Sequence, residues 1–230
     1  MLPYGTQLMG LGHAGVTANA FLCGVAAVGT AYMISTRVRQ NRTLGMVLAG
    51  IMVGSLFNAG TSFIKLVADP NNVLPTITYW LMGSVAGVTT QKLAWVAIPV
   101  LGGMLTLLIL RWKLNLLTMG EDEARSMGVN TKIMRVVVVT SATLITAACV
   151  SISGLIGWVG LVIPHFARML VGYDYRVMMP VCMLMGASFL MLVDNVARSI
   201  VTSEIPIGIL TAFVGVPFFL YLILDRGNRI

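Results

Sequence analysis

The sequence predicts an all-α, polytopic bundle that spans a membrane, and three observations carry that expectation. Of 230 residues, 57% are hydrophobic and only 10% charged, whereas soluble domains carry about 25% charged residues. Apolar runs close to the roughly 20 residues that a helix needs to cross hydrocarbon recur along the chain. Between them stands one long polar insertion, Arg111 to Arg135.

Taken in order, Leu11–Ile34, Gly45–Ala68, Leu93–Leu110, Val136–Val162 and Ile207–Leu224 read as spans, with Met178–Ile200 as a sixth. Asp194 and Arg198 are expensive near the end of that sixth run, but they stand four residues apart and can pair on one helix face. Asp69-Pro70-Asn71-Asn72 is a turn signal that ends the second run. The following Leu74–Val88, with Tyr79 and Trp80, reads as an amphipathic helix on the outer surface with its rings at headgroup depth. Gly45, Gly50, Gly54, Ala59 and Gly60 in the second run and Gly154, Gly157 and Gly160 in the fourth are small enough to let helix backbones approach closely. Pro164 lacks a backbone donor and predicts a helix break after the fourth run, with Gly157, Gly160 and His165 around it.

The short piece from Ile163 to Val171 decides the topology. If it crosses, Arg37, Arg39, Arg42, the five basic residues of the polar insertion, Arg168, Arg176, Arg226 and Arg229 share one side, 12 against Lys65, Lys92 and Arg198 opposite. If it does not cross, the division falls to 9 against 6. The excess of Lys and Arg in cytoplasmic loops favours the first arrangement, with the polar insertion and the C-terminus cytoplasmic.

The polar insertion cannot itself cross, because each charge at mid-bilayer costs about 2.5–3.5 kcal/mol. Within it Thr118 or Gly120 can start a helix, Glu121, Asp122 and Glu123 fall where the helix dipole favours negative charge, and Gly128 with Asn130 supplies a stop. Two turns are too short to persist alone in water. Such a helix needs a surface to lie on, its own membrane domain or another protein.

Several function classes are excluded. The net charge of +7 is spread over the ends of apolar runs, not gathered in a stripe with interleaved aromatics, so nucleic acid is not the partner; membrane lipid is. No Gly-x-Ser-x-Gly elbow, His-Glu-x-x-His pair or Gly-x-x-x-x-Gly-Lys-Ser/Thr phosphate loop occurs. Catalytic residues are therefore not expected, and any nucleotide energy must come from a separate polypeptide. Cys23, Cys149 and Cys182 are odd in number and lie in apolar runs, and the 16 methionines show no repeated spacing, so neither a metal site nor a cofactor is expected. His165, after Pro164, suits a helix-capping or interhelical hydrogen bond better than a metal.

Five blocks of residues carry a resemblance. They are Gly120-Glu121-Asp122-Glu123-Ala124-Arg125-Ser126-Met127-Gly128, Gly154-Leu-Ile-Gly-Trp-Val-Gly-Leu-Val-Ile-Pro-His-Phe-Ala-Arg168, Asp194-Asn-Val-Ala-Arg198, Glu204-Ile-Pro-Ile-Gly-Ile-Leu-Thr-Ala212 and Gly215-Val-Pro-Phe-Phe219. Their order over about two-thirds of the chain resembles the FecCD-type permeases of bacterial ABC importers, which take up iron-siderophore complexes, haem and cobalamin. The family's usual member has ten transmembrane helices, and this chain resembles the last seven, as a single permease domain over residues 1–230 that is truncated at its N-terminus.

The resemblance implies that Gly120, Glu121, Asp122, Glu123, Ala124, Arg125, Ser126, Met127 and Gly128 form the cytoplasmic coupling helix that docks on an ATP-binding cassette ATPase. Arg198 is similar in position to an arginine that meets a periplasmic or lipid-anchored solute-binding protein. Thr43 matches a position at the cytoplasmic gate, although Leu44 departs from the small polar residue that some members carry; a helix cap is an equally good reading of Thr43. A second permease subunit, most simply a homodimer in the cell inner membrane, completes the implied assembly. The alternatives are a stand-alone secondary carrier or channel, or an inactive truncated permease.

Overall fold

A computed structural model describes residues 13–37, 42–200 and 205–227, and the regular elements among them are all α-helices. In chain order they are α1 His13–Arg37, α2 Arg42–Val67, α3 Val73–Met82, α4 Thr90–Thr118, α5 Glu121–Ser126, α6 Thr131–Ser153, α7 Val159–Val171, α8 Tyr175–Ile200 and α9 Ile207–Gly227. Five of these, α1, α2, α4, α6 and α8, are long and apolar enough to cross a bilayer. The chain is a multi-pass membrane protein.

α4 stands in the middle of the packing: α6 lies against it on one side and α8 on the other. α6 also carries α1, which carries α2, while α7 and α9 gather on α8. Small residues make these contacts possible, because lipid gives helices no hydrophobic drive to associate and close backbone approach must supply dispersion instead. Gly103 of α4 lies so near α6 that a Cβ there would stand 2.7 Å from Ile145 Cγ1 and 3.1 Å from the Ser141 carbonyl oxygen. Gly24 of α1 meets the Ala147 methyl of α6 in the same way, at 3.2 Å. On α2 the buried positions are Gly45, Ala49 and Val53, four residues apart on one stripe. A Cβ added at Gly50, Gly54 or Gly60, which the sequence also marks for close packing, would meet nothing within 4 Å outside its own helix backbone. Leu48, Ile51, Met52 and Leu56 on the same helix point outward, as side chains facing lipid would.

The helix break lies elsewhere than Pro164. α6 ends at Ser153, the chain is irregular over Gly154–Trp158, and α7 then runs through Gly160, Pro164 and His165 without interruption. Of the residues expected at the break only Gly157 is there. The physical cause is upstream: Gly154 at φ 68° and Trp158 at φ 67° turn the backbone before the proline is reached. Pro164 removes one hydrogen bond, to the Gly160 carbonyl, without ending the helix.

α3 is also shorter than Leu74–Val88. The Asp69 carboxylate accepts from the amides of Asn71 and Asn72 at 3.4 and 3.2 Å, which sets the turn before it, and Gly83 at φ 74° stops it after Met82. Its end, the end of α6 and the start of α9 then meet backbone to backbone. The Ser84 amide donates to the Ser153 carbonyl at 2.8 Å; a Cβ on Gly83, Gly154 or Gly208 would fall on the carbonyl oxygen of Leu155, Trp80 or Met82. From this junction α7, only 13 residues long, returns to the opposite end of the bundle, where Asp174 bonds Asn115 of α4. The short piece thus connects the two ends of the bundle.

Replacing Gly154 by Val forces a branched side chain into a backbone region open essentially to glycine, at a cost of about 1–3 kcal/mol. Thermal denaturation in detergent should show a clear loss for Gly154→Val and almost none for Gly60→Ala, whose Cβ enters open space.

Candidate coupling and docking sites

α4 is 29 residues long, about 43 Å at 1.5 Å per residue, and overruns a hydrocarbon core of about 30 Å. Its C-terminal part therefore stands outside the core and carries α5. The six-residue α5 starts at Gly120, φ 131°, not at Thr118, which closes α4 with its hydroxyl on the Asn115 carbonyl at 2.6 Å. Gly128 ends the segment at φ 80°. Asn130 caps α6 instead of stopping α5: its side-chain oxygen accepts from the Ile133 amide at 3.2 Å.

α5 lies on its own bundle. Ala124 is fully buried against Val129 and Met134, with Leu110, Leu114, Leu117 and Val138 around them. The Val129 amide returns to the Ala124 carbonyl at 3.0 Å. Glu121 pairs with Arg135 of α6 and, at 3.3 Å, with Arg125; Arg125 also reaches Asp122 at 3.7 Å and Thr131 Oγ1 at 3.3 Å. Asp122, Glu123, Ser126 and Met127 face outward. Beside them Arg125, Gly128, Asn130 and Lys132 line an open groove of about 540 Å³. The arrangement is a small acidic knob, fixed at its back and open at its front.

A second polar cluster ties the overrunning part of α4 to the start of α8. Asn115 Nδ2 donates to Asp174 Oδ1 at 2.5 Å, and the Tyr175 amide donates to Asn115 Oδ1 at 2.8 Å. The Arg176 amide donates to Asp174 Oδ1 at 2.9 Å, and Arg111 Nη1 donates to the Arg176 carbonyl at 3.1 Å. The Arg176 guanidinium lies 5.8 Å from the centre of the Trp112 ring. The Arg176 amide first, and then Asn115, hold the Asp174 carboxyl below its usual range. No motif in the sequence singles out this cluster.

At the opposite end of α8, Arg198 Nε donates to Asp194 Oδ2 at 2.9 Å, the pairing their spacing predicts, and Arg198 stays partly exposed. Thr43 lies in the first turn of α2, its side chain outside the described residues, as is all of Glu204. His165 lies inside α7, not at its cap, and meets Phe218 of α9 edge-on at 6.2 Å, next to the stacked Phe166–Phe218 pair; the contact is one of rings, not the hydrogen bond that the sequence predicts. Among the described residues no group of His, Cys, Asp and Glu could hold a metal ion.

The description of the FecCD transport family matches residues 4–225. The chain belongs to that family. It is 41% identical over 216 residues to the molybdate import system permease protein MolB of Haemophilus influenzae, covering 93% of this chain and 64% of that protein. It is 39% identical to the cobalamin import system permease protein BtuC of Halobacterium salinarum over 94% of this chain and 58% of that one. The hemin transport system permease protein HmuU of Yersinia pestis is 33% identical over 92% of this chain and 63% of its own length. The chain thus spans about three-fifths of the length of these curated relatives. A solved ABC transporter of metal-chelate type, in an inward-facing conformation, superposes with a TM-score of 0.88 at 39% identity, over 96% of this chain and 70% of that one. The fold of this FecCD chain is therefore that of an ABC transporter permease.

Two outcomes follow from the geometry. Arg135→Met removes the anchor of α5 on α6, worth about 1 kcal/mol for a partly exposed pair, so hydrogen exchange at the Ala124 amide should quicken by roughly fivefold. Because the Asp174 carboxyl is depressed in the folded state, its contribution is complete above the ordinary carboxylate range and is lost as pH falls through the folded value. Thermal midpoints followed from pH 6 downward, a range set by the reference carboxylate value of about 3.9, should fall less steeply in Asp174→Asn.

Proposed function

We propose that this FecCD chain is the permease part of a binding-protein-dependent ABC importer, with α5 as the element on which a separate ATPase docks. The observation that supports this reading is the shape of α5: a six-residue helix outside the spans, fixed at its back through Ala124 and Arg135, with acidic residues presented outward. A rigid knob of this kind can pass the closure of a partner into the bundle as rigid-body motion. Arg198, at the other end of α8, is suited to meet an acidic patch on a solute-binding protein, since charge pairs at an interface rim set orientation and on-rate.

In this reading α5 and the C-terminus are cytoplasmic, the membrane is the cell inner membrane, and a second permease subunit, most simply another copy of this chain, completes the path. The cargo class is a metal chelate of the iron-siderophore, haem or cobalamin kind. The relatives named above for cobalamin and hemin support it, and the one named for molybdate extends the range to a small oxyanion. The buried polar side chains of the described bundle are Ser35, Thr131, Ser141, Ser151 and Thr211, all neutral. Such an interior suits a solute selected by another protein.

Co-purification tests the reading. An ATPase subunit should stay bound to wild type and be lost when Glu121, Glu123 and Arg125 are replaced together; equal retention removes α5 from the interface. Arg198→Glu should weaken binding-protein docking about tenfold or more at low salt, and less at high salt, because like charge faces like charge across a solvated rim. A cysteine in place of Ser126 should resist membrane-impermeant reagents in sealed cells, and labelling from outside would reverse the topology.

A further inference from the structure

Pro180, the sixth residue of α8, has no amide hydrogen to give to the Arg176 carbonyl one turn earlier. That carbonyl, at the exposed start of α8, is left open to another donor. Arg111 of α4 supplies it, at 3.1 Å. One turn further along α4, Asn115 engages the same short segment twice, through Asp174 and the Tyr175 amide. Arg111, Trp112 and Asn115 thus grip residues 174–176 at several points, using the extension of α4 that carries α5.

We propose that Asn115 and Asp174 are positioning residues that lock the stem of α5 to α8, so that a displacement of α5 reaches the end of the bundle where Arg198 stands. The inference rests on the importer reading above and adds a path to it. α8 is a single helix of 26 residues, about 39 Å long. Its first residues are held by Asn115 and its last turns bury Val193 and Ala197 against Ile207 of α9. A load applied at Asn115 therefore arrives beside Arg198, which follows Ala197 directly. The route through α6 reaches the same cluster only indirectly, through the irregular segment after Ser153, whose Ile156 packs on it. α8 is the single helix that runs from the Asn115 contacts to Arg198 itself.

The hydrogen bonds themselves supply the test. Asn115→Asp removes the Nδ2 donor and sets two carboxylates face to face. Adding Asp174→Asn restores every bond with the roles exchanged: the carboxamide now at position 174 would donate to the new carboxylate at position 115, which still accepts from the Tyr175 amide, and the Arg176 amide still finds a side-chain oxygen. Asp174→Asn alone keeps an acceptor for both donors and serves as the control.

The three variants and wild type are to be compared in proteoliposomes with the ATPase and the binding protein, measuring ATPase retention, basal hydrolysis, binding-protein-stimulated hydrolysis and uptake. Asn115→Asp should retain the ATPase and its basal rate but lose about fivefold or more of the stimulation, the size of a typical coupling between sites. The double variant should recover it. Unchanged stimulation in Asn115→Asp, loss of the ATPase from it, or a double variant that holds the ATPase without recovering stimulation would each overturn the lock. A wild-type chain that retains no ATPase would instead overturn the importer reading, and the lock with it.

Discussion

Within a bilayer a backbone carbonyl or amide has no water to bond, so every interruption of a helix must find its partner inside the protein. That constraint accounts for where the irregular parts of this chain lie. The break over Gly154–Trp158 does not stand alone: the Ser153 carbonyl ending α6 accepts from the Ser84 amide, and Gly154 and Leu155 approach Trp80, Gly83 and Gly208 through their backbones. The ends of α3 and α6 and the start of α9 converge because each one satisfies or abuts another. Where the chain is exposed, side chains meet the same need: Arg111 donates to the carbonyl that Pro180 frees in α8, and the Asp69 carboxylate accepts from two amides before α3.

The polar end of the bundle obeys a different balance. α5 has six residues, far fewer than the 12–15 at which an isolated helix becomes even marginal, so it borrows its stability from its neighbours. Its ion pairs through Arg125 are exposed, and such pairs contribute about 0.2–1 kcal/mol each. Burial of Ala124 and the reach of Arg135 from α6 decide its position. The acidic residues that remain outward do little for the fold and are available to a partner, which is why the site is recognisable in the first place.

Long apolar runs were legible because hydrocarbon thickness sets their length, and the limits of α5 were nearly so because Gly120, the acids after it and Gly128 are local signals. The break before α7 was misplaced for a physical reason. Pro164 is the stronger breaker in a sequence, yet glycine and Trp158 at positive φ turn the chain six residues or more earlier. Which small residues are packed was equally hidden: Gly24 and Gly103 face neighbours, whereas Gly50, Gly54 and Gly60 do not, and no periodicity within one helix distinguishes them. Asn115 and Asp174 stand 59 residues apart. Nothing local links them.

The two ends of the bundle differ in what they can yield. Near α5 the contacts are between side chains, Asn115 with Asp174 and Glu121 with Arg135, and each group can exchange its partner for water at modest net cost. At the far end the contacts are between backbones, through Gly83, Gly154 and Gly208, with no room for a side chain and no water to take over a bond. Packed interiors of this kind move between discrete arrangements and do not deform gradually. A displacement entering through α4 is therefore carried into α8 only while the Asn115 and Asp174 contacts hold, and where it arrives it must move helices as bodies. Because α8 meets α9 at Ile207, one residue from Gly208, the body it moves includes the start of α9.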